Sequence, residues 1–291
     1  MSNDQPFTAQ RTPKYVGRFA PSPSGPLHFG SLVSALASYL DAKANNGLWL
    51  LRIEDLDPPR EPAGAAKKII QQLESLGLTW DDEVLFQSKR IDAYDTALMT
   101  LASEGLCFHC SCSRRDVKTM KGGYSGKCRS NGLSARELQY PIKKQHSTSI
   151  RIRTDLKKVG FEDAILGPFS SQLSESGGDF IIRRKDGMIA YQLAVVIDDA
   201  WQGVTNIVRG TDLLSSTPKQ RYLQTVLGLA QPTYAHIPIV TDTNGTKLSK
   251  QAFARAIDTE DAFPLLFRAL LLLGQRPPER QFSRSPNSLL N

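Results

Sequence analysis

The stretch Arg18-Phe19-Ala20-Pro21-Ser22-Pro23-Ser24-Gly25-Pro26-Leu27-His28-Phe29-Gly30-Ser31 constrains this chain most, because it must turn a strand into a helix through three prolines and two glycines. Before it, Tyr15 to Ala20 alternates as a half-buried strand does; after it, Leu32, Leu36, Tyr39, Leu40 and Lys43 recur at helical spacing. At such a turn the first helical amides have no partner and the helix dipole is positive, so the place suits an anion such as a triphosphate. His28 and Ser31 fall on the first turn, where imidazole and hydroxyl reach phosphate oxygens. Taken alone the turn is weak evidence, since many α/β proteins carry a Gly-rich turn that binds no nucleotide.

Three later stretches add to it. Leu48 to Ile53 is a continuous apolar strand running into Glu54, and Gly203 to Asp212 is a second one, carrying Arg209 near its end. Strands apolar on both faces belong to a buried parallel sheet, and their carboxyl ends are where such sheets bind ligands. Glu54 can meet an ammonium there, whereas Asp57, before Pro58 and Pro59, reads as a helix lead-in. Arg209 can clamp a carboxylate bidentately, with Tyr191 donating to the same group. The third stretch is Lys247-Leu248-Ser249-Lys250, set after the turn Asp242 to Gly245. Lysines there can stabilise charge on a departing pyrophosphate without any covalent step.

His28-Phe29-Gly30-Ser31 resembles the HIGH signature, and Lys247-Leu248-Ser249-Lys250-Gln251 the KMSKS signature, of class I aminoacyl-tRNA synthetases. Arg18 to Gly25 is similar to the glutamyl/glutaminyl subgroup, and the resemblance runs from about residue 15 to 255. Ser31 stands where the signature has its second His, and Gln251 where it has its last Ser. The resemblance implies an α/β fold with a Rossmann-like parallel sheet, a zinc-bearing insertion and a short C-terminal helical part. It implies ATP as substrate with Mg2+, held by Pro21, His28, Gly30, Ser31, Lys247, Ser249 and Lys250, of which His28 and Lys250 are catalytic. For glutamate it implies Arg18, Ala20, Ser22, Glu54, Tyr191 and Arg209.

The four cysteines, 107, 110, 112 and 128, cluster in a chain whose first residues do not read as an export signal, which favours a metal over disulfides. Cys110, Cys112 and Cys128 supply three thiolates, one short of a closed tetrahedral zinc site. Cys107, His109 and Tyr124 are candidates for the fourth position. Bare chemistry ranks Tyr124 last, because a phenol must lose its proton. The pattern Cys-x-Cys followed by Tyr-x-x-x-Cys resembles the zinc module of the glutamyl-Q tRNA(Asp) synthetase family. That resemblance implies Cys110, Cys112, Tyr124 and Cys128 as the ligands of a structural Zn2+, with Cys107 buried and unliganded.

The formal charge of +7 is unevenly spread: between Cys107 and Lys158 there are thirteen Lys and Arg against three Asp and Glu, a local +10. Such a patch points to a polyanion, most simply RNA. No apolar run is long enough to span a membrane, and a cytoplasmic monomer is expected. The expected organisation is a first catalytic half over 1–106, a zinc-containing basic insertion over 107–179, a second catalytic half over 180–245, and the second signature with short helices and a tail over 246–291. Helices are expected over 62–76 and 89–104, from Asp212 to Leu227, near Ala254 to Ile257, and through Pro264 to Leu271. A last strand is expected at His236 to Val240. So little chain after Lys250 is expected to leave no room for an anticodon-binding domain. The family resemblance implies formation of glutamyl-adenylate and transfer of glutamate to the queuosine at the wobble position of tRNA(Asp). The alternatives are a truncated glutamyl-tRNA synthetase charging a tRNA 3′ end, a small-molecule nucleotidyltransferase of similar fold, and a non-catalytic RNA-binding module.

Overall fold

The computed structural model describes residues 15–120, 123–139, 148–154, 158–174, 177–240, 256–257, 262–277 and 290. Strand β1 (Val16–Phe19) leads through the Pro/Gly turn into α1 (Phe29–Ala44), which crosses over to β2 (Leu48–Ile53), paired with β1 in parallel. Helix α2 (Ala65–Ser75) then crosses to the short β3 (Leu85–Phe86), parallel to β2. After α3 (Ile91–Ser103) come β4 (Cys107–Cys110), α4 (Arg114–Lys118), β5 (Gly123–Tyr124), α5 (Ala135–Gln139) and β6 (Ser149–Ile152). The hairpin β7 (Lys158–Asp163) and β8 (Gly167–Gln172) follows, then β9 (Gly177–Gly178), β10 (Ile181–Arg183) and α6 (Tyr191–Trp201). The chain continues through β11 (Asn206–Gly210), α7 (Thr217–Val226), β12 (Thr233–Ile237) and α8 (Ala262–Leu272).

Two parallel ribbons make the floor. One is β1-β2-β3; the other is β11-β12, extended by the hairpin β7-β8, in which β7 runs parallel to β12 through Tyr234 opposite Asp163. They abut where the Thr205 amide donates to Val16 O at 2.9 Å and the Val16 amide to Thr205 Oγ1 at 2.8 Å. Trp49, Leu51 and Ile53 of β2 pack with Leu32 and Leu36 of α1, Ile69 and Leu73 of α2, and Leu266 of α8. On the other face Leu50 packs with Val16, Val204, Ile207 and Tyr234, so β2 is covered on both faces, as its largely apolar run requires. A separate antiparallel sheet, β10-β6-β4, carries the cysteine-rich segment. No helix among the described residues is long and apolar enough to cross a membrane.

Several expectations change in detail. Ala256 and Ile257 are not helical. Ala256 forms a β-bridge with His28, and the Ile257 amide donates to Leu27 O at 3.0 Å. The helix expected from Asp212 begins as a 3-10 turn, Thr211–Ser216, and becomes α-helical at Thr217, next to Pro218. The last strand ends at Ile237, since Pro238 has no N–H to give to a ladder. Asp57 precedes a 3-10 turn, Pro58–Arg60, but makes no capping bond; its carboxylate pairs with Arg60 and Arg184.

Candidate active site

A cleft of about 330 Å3 opens at the carboxyl ends of β1, β2, β11 and β12. It is lined by Arg18, Ala20, Pro21, Ser22, His28, Gly30, Ser31, Glu54, Tyr191 and Arg209, residues drawn from three distant parts of the chain. Lys247, Ser249 and Lys250 lie outside the described residues. The two flanks of their segment are at the cleft: Val240 lines it, and Ala256 is bridged to His28.

At the outer end, His28 is the N-cap of α1, and its Nδ1 accepts from the Ser31 amide at 3.2 Å. A ring nitrogen that accepts is unprotonated, so the proton of the neutral imidazole sits on Nε2, as a donor. Gly25, at φ 142°, bends the preceding loop through a conformation closed to residues with a Cβ. The Glu54 amide donates to Pro21 O at 3.0 Å and ties this loop to the end of β2.

The inner end is a buried charge network. Asp199 accepts from Arg18 Nε at 3.1 Å and from an Arg52 Nη2 at 2.8 Å, and the same Arg52 nitrogen lies 3.5 Å from Glu54 Oε1. Burial pushes the Asp199 carboxyl up, but Arg18 and Arg52 outweigh it and hold the group below the ordinary carboxylate range. For Glu54 the balance reverses: burial dominates, Arg52 and Arg18 offset only part of it, and the pKa rises to about 7. A carboxylate so poorly solvated gains from a cationic ligand. Burial also raises the Tyr191 phenol, which therefore stays a neutral donor.

Arg209 is 5% exposed, and among the described residues its guanidinium has no carboxylate partner. It donates to His236 and Thr217 and lies 5.2 Å over the Tyr234 ring, while Nη1 is left buried without a hydrogen-bond partner. A buried donor left unmade is costly, so this nitrogen marks a place for an acceptor. Beside it, a Cβ at Gly210 would lie 2.4 Å from Asp212 Oδ1, so any larger residue there would have to turn the Asp212 carboxylate aside.

The Sγ atoms of Cys110, Cys112 and Cys128 lie within 4.8 Å of one another, with Cys112 and Cys128 3.7 Å apart. Three thiolates bound tetrahedrally at about 2.3 Å would be spaced by nearly that distance, so the donor set fits zinc. The Tyr124 oxygen accepts from the Cys128 amide at 2.7 Å and packs in the same small cluster. Cys107 belongs to a different core, and His109 is turned to Thr148 at 3.0 Å. Asp179 braces the module, taking both Arg129 Nε at 2.6 Å and Nη2 at 2.7 Å, together with Thr154.

That bracing reduces the basic surface the sequence suggested. Arg129 pairs with Asp179, Arg151 donates to the Asp179 carbonyl, and Arg153 donates to the Arg129 carbonyl, so these three hold structure. Lys121, Lys143, Lys144 and Lys157 lie outside the described residues. Arg114 and Lys118 line a second cleft of about 640 Å3 beside Cys112, where Arg184 is paired with Asp57 and Asp186 and Lys185 donates to the Ser111 carbonyl.

Sequence reasoning passed over Arg52, Asp199, His236 and Asp163. Arg52 did carry a signal, as the one charge within an otherwise apolar strand. Asp199 lay in an acidic pair on an apolar helix; nothing in the sequence singled out Asp163.

Residues 14–284 match the family model for the catalytic domain of class I tRNA synthetases (E and Q). A glutamyl-Q tRNA(Asp) synthetase of Pseudomonas fluorescens is 51% identical over 94% of this chain and 88% of its own length. One from Pseudomonas syringae pv. tomato is 52% identical over 91% and 86%. Among solved structures, a glutamate tRNA ligase from Elizabethkingia meningosepticum, in complex with its amino acid, superposes with a TM-score of 0.76 at 26% identity. The superposition takes in 95% of this chain and 64% of that ligase.

Proposed function

The chain belongs to the class I tRNA synthetase family (E and Q), and from that premise we propose that it activates glutamate with ATP and passes it to tRNA. The observation that carries this reading is one cleft holding the desolvated carboxylate of Glu54, the unspent Nη1 of Arg209 and the helix N-terminus capped by His28. Glu54 takes the substrate ammonium, and Arg209, with Arg18 and Tyr191, takes the side-chain carboxylate. The remaining carboxylate then faces the α-phosphate of ATP. Its oxygen attacks phosphorus, the bond to pyrophosphate breaks, and glutamyl-adenylate results.

The Nε2–H of His28 and the positive end of the α1 dipole stabilise the phosphate charge that grows in this step, and Lys250 adds to it from the second signature. Orientation and charge stabilisation supply the rate; no residue needs to bond covalently to the substrate. In the second step a hydroxyl attacks the adenylate carbonyl and AMP leaves. The acceptor we propose is the queuosine at the wobble position of tRNA(Asp). Cys110, Cys112, Tyr124 and Cys128 would hold zinc, which cross-links the end of β4 to the loop after β5 and leaves no ligand position open for chemistry.

The test has two parts. Glutamate should drive exchange of pyrophosphate into ATP without RNA; exchange that appears only when tRNA is added would show that activation depends on tRNA, and no exchange in either case would end the activation reading. Labelled glutamate should then be transferred only to tRNA bearing queuosine, and label at a 3′ end would favour the glutamyl-tRNA synthetase alternative.

A further inference from the structure

Arg209 is the cation on which recognition of a side-chain carboxylate depends, and it reaches the cleft only because other groups hold it. Its Nε–H donates to His236 Nε2 at 3.2 Å and its Nη2–H to Thr217 Oγ1 at 2.7 Å. An N–H can point at an imidazole nitrogen only where that nitrogen carries a lone pair. His236 Nε2 is therefore the acceptor, and the ring proton sits on Nδ1, from which it reaches Asp163 Oδ2 at 2.5 Å. Thr217 fits the same assignment. Its oxygen accepts from Arg209 and lies 3.1 Å from Nε2, nearer than its other acceptor, Leu213 O at 3.5 Å, so its hydroxyl hydrogen can share that lone pair. The side chains of His236 and Asp163 are both 0% exposed, so bulk solvent reaches neither partner.

Asp163 is committed in turn. Its Oδ1 accepts three backbone N–H groups, from Ile165 at 3.1 Å, Leu166 at 3.0 Å and His236 at 3.2 Å. Only Oδ2 meets the imidazole ring. The register that pairs β7 with β12, Asp163 opposite Tyr234, fixes this arrangement beside the strand that carries His236.

We propose that Asp163 sets the Nδ1–H tautomer of His236, and that His236 so set turns Arg209 to present Nη1 to the substrate carboxylate. Both are positioning residues for amino-acid recognition, supplied by strands that contribute no charged group of their own to the cleft. The inference rests on reading the cleft as a glutamate site.

The consequence is specific to one substitution. In Asp163→Asn the amide oxygen must keep the Oδ1 place, because an NH2 there would face three N–H donors. The NH2 group is then forced toward His236 Nδ1, which must accept, and the ring proton moves to Nε2. Nε2–H then opposes the Nε–H of Arg209, donor against donor, and the guanidinium turns away from the cleft.

The tautomer is read directly from 15N–1H correlation spectra of histidine-labelled protein. The chain has four histidines, and the His236→Gln spectrum identifies the signal that belongs to position 236. Wild type should show the Nδ1–H form and Asp163→Asn the Nε2–H form. In pyrophosphate exchange, Asp163→Asn should raise the KM for glutamate roughly 10- to 150-fold, the range for one charged hydrogen bond, with the KM for ATP unchanged. His236→Gln can place its amide oxygen where Nε2 accepts, so it should stay near wild type, while His236→Met, with no such acceptor, should match Asp163→Asn. In the His236→Gln background, Asp163→Asn should add little, whereas a merely structural Asp163 would cost the same in both. If Asp163→Asn does not fold, the Gln and Met variants make the same comparison. An Nε2–H tautomer in wild type, or equal glutamate KM for the Gln and Met variants, overturns the proposal. Absence of glutamate-dependent exchange in wild type instead removes the glutamate reading, and the positioning role falls with it.

Discussion

Glu54→Gln should move stability and substrate use in opposite directions. The Glu54 pKa rises from 4.5 to about 7 because burial outweighs the attraction of Arg52 and Arg18. At 1.36 kcal/mol per unit, that shift means the ionised form is roughly 3 kcal/mol worse off in the folded protein than in the unfolded chain. For a carboxyl whose folded pKa is raised, the associated stability is fully present below 4.5 and is lost as pH rises through about 7. Glutamine does not titrate and keeps whatever stability it has. Measured by urea unfolding, the stability of Glu54→Gln relative to wild type should therefore grow by roughly 2 kcal/mol between about pH 5 and pH 8. The other carboxyl groups are common to both proteins and cancel in the difference. Glutamate-dependent pyrophosphate exchange should fall over the same range of pH, since the ammonium loses a charged partner worth roughly 1.5–3 kcal/mol, or about 10- to 150-fold in kcat/KM. A stability difference that does not change with pH would refute the claim that Glu54 is a strained, desolvated carboxylate. Unchanged exchange would remove it from the substrate site.

The zinc set is tested by metal content after dialysis: Cys112→Ser should lose the metal and Cys107→Ser keep it, while glutamate activation survives in part because the cleft is built from other strands. Retention of zinc in Tyr124→Phe together with its loss in Cys107→Ser would reverse the assignment of the fourth ligand. Arg114 and Lys118 are exposed at the rim of the second cleft. Replacing both by Ala should leave exchange intact and shallow the salt dependence of tRNA binding by roughly one log–log unit per lost phosphate contact; an unaltered slope would move the RNA surface elsewhere. Arg209→Ala should weaken glutamate binding by about 2–5 kcal/mol, much of it from uncompensated burial of the substrate carboxylate. Glutamine should be a poor substrate for wild type, because its amide nitrogen would face guanidinium donors, and equal use of the two amino acids in exchange would contradict the role given to Nη1.

What was legible in the sequence follows the range over which each physical signal acts. The strand, turn and helix from Arg18 to Ser31 were readable because prolines, glycines and hydrophobic period all act locally, and β2 because five consecutive residues, Trp49 to Ile53, are all buried. Ala256 and Ile257 were misread as helix because their conformation is decided elsewhere: the Leu27 carbonyl binds the Ile257 amide, and Gln72 spans both segments, accepting from the Leu27 amide at 2.8 Å and donating to the Ile257 carbonyl at 3.2 Å. No window of sequence holds both ends of that bridge. The charged residues behind the cleft were hidden for the same reason. Asp199 has meaning only against Arg18 and Arg52, and Asp163 only against His236, partners 181, 147 and 73 positions away respectively. Arg18, Glu54 and Arg209 lie at or next to strand ends, where sheet geometry makes a position informative before its neighbours are known. The residues that lie behind them are set by pairing register, and one of them, Asp163, comes from the segment read as an insertion, so this segment reaches the inner end of the cleft through β7 and His236 as well as carrying the cysteine cluster.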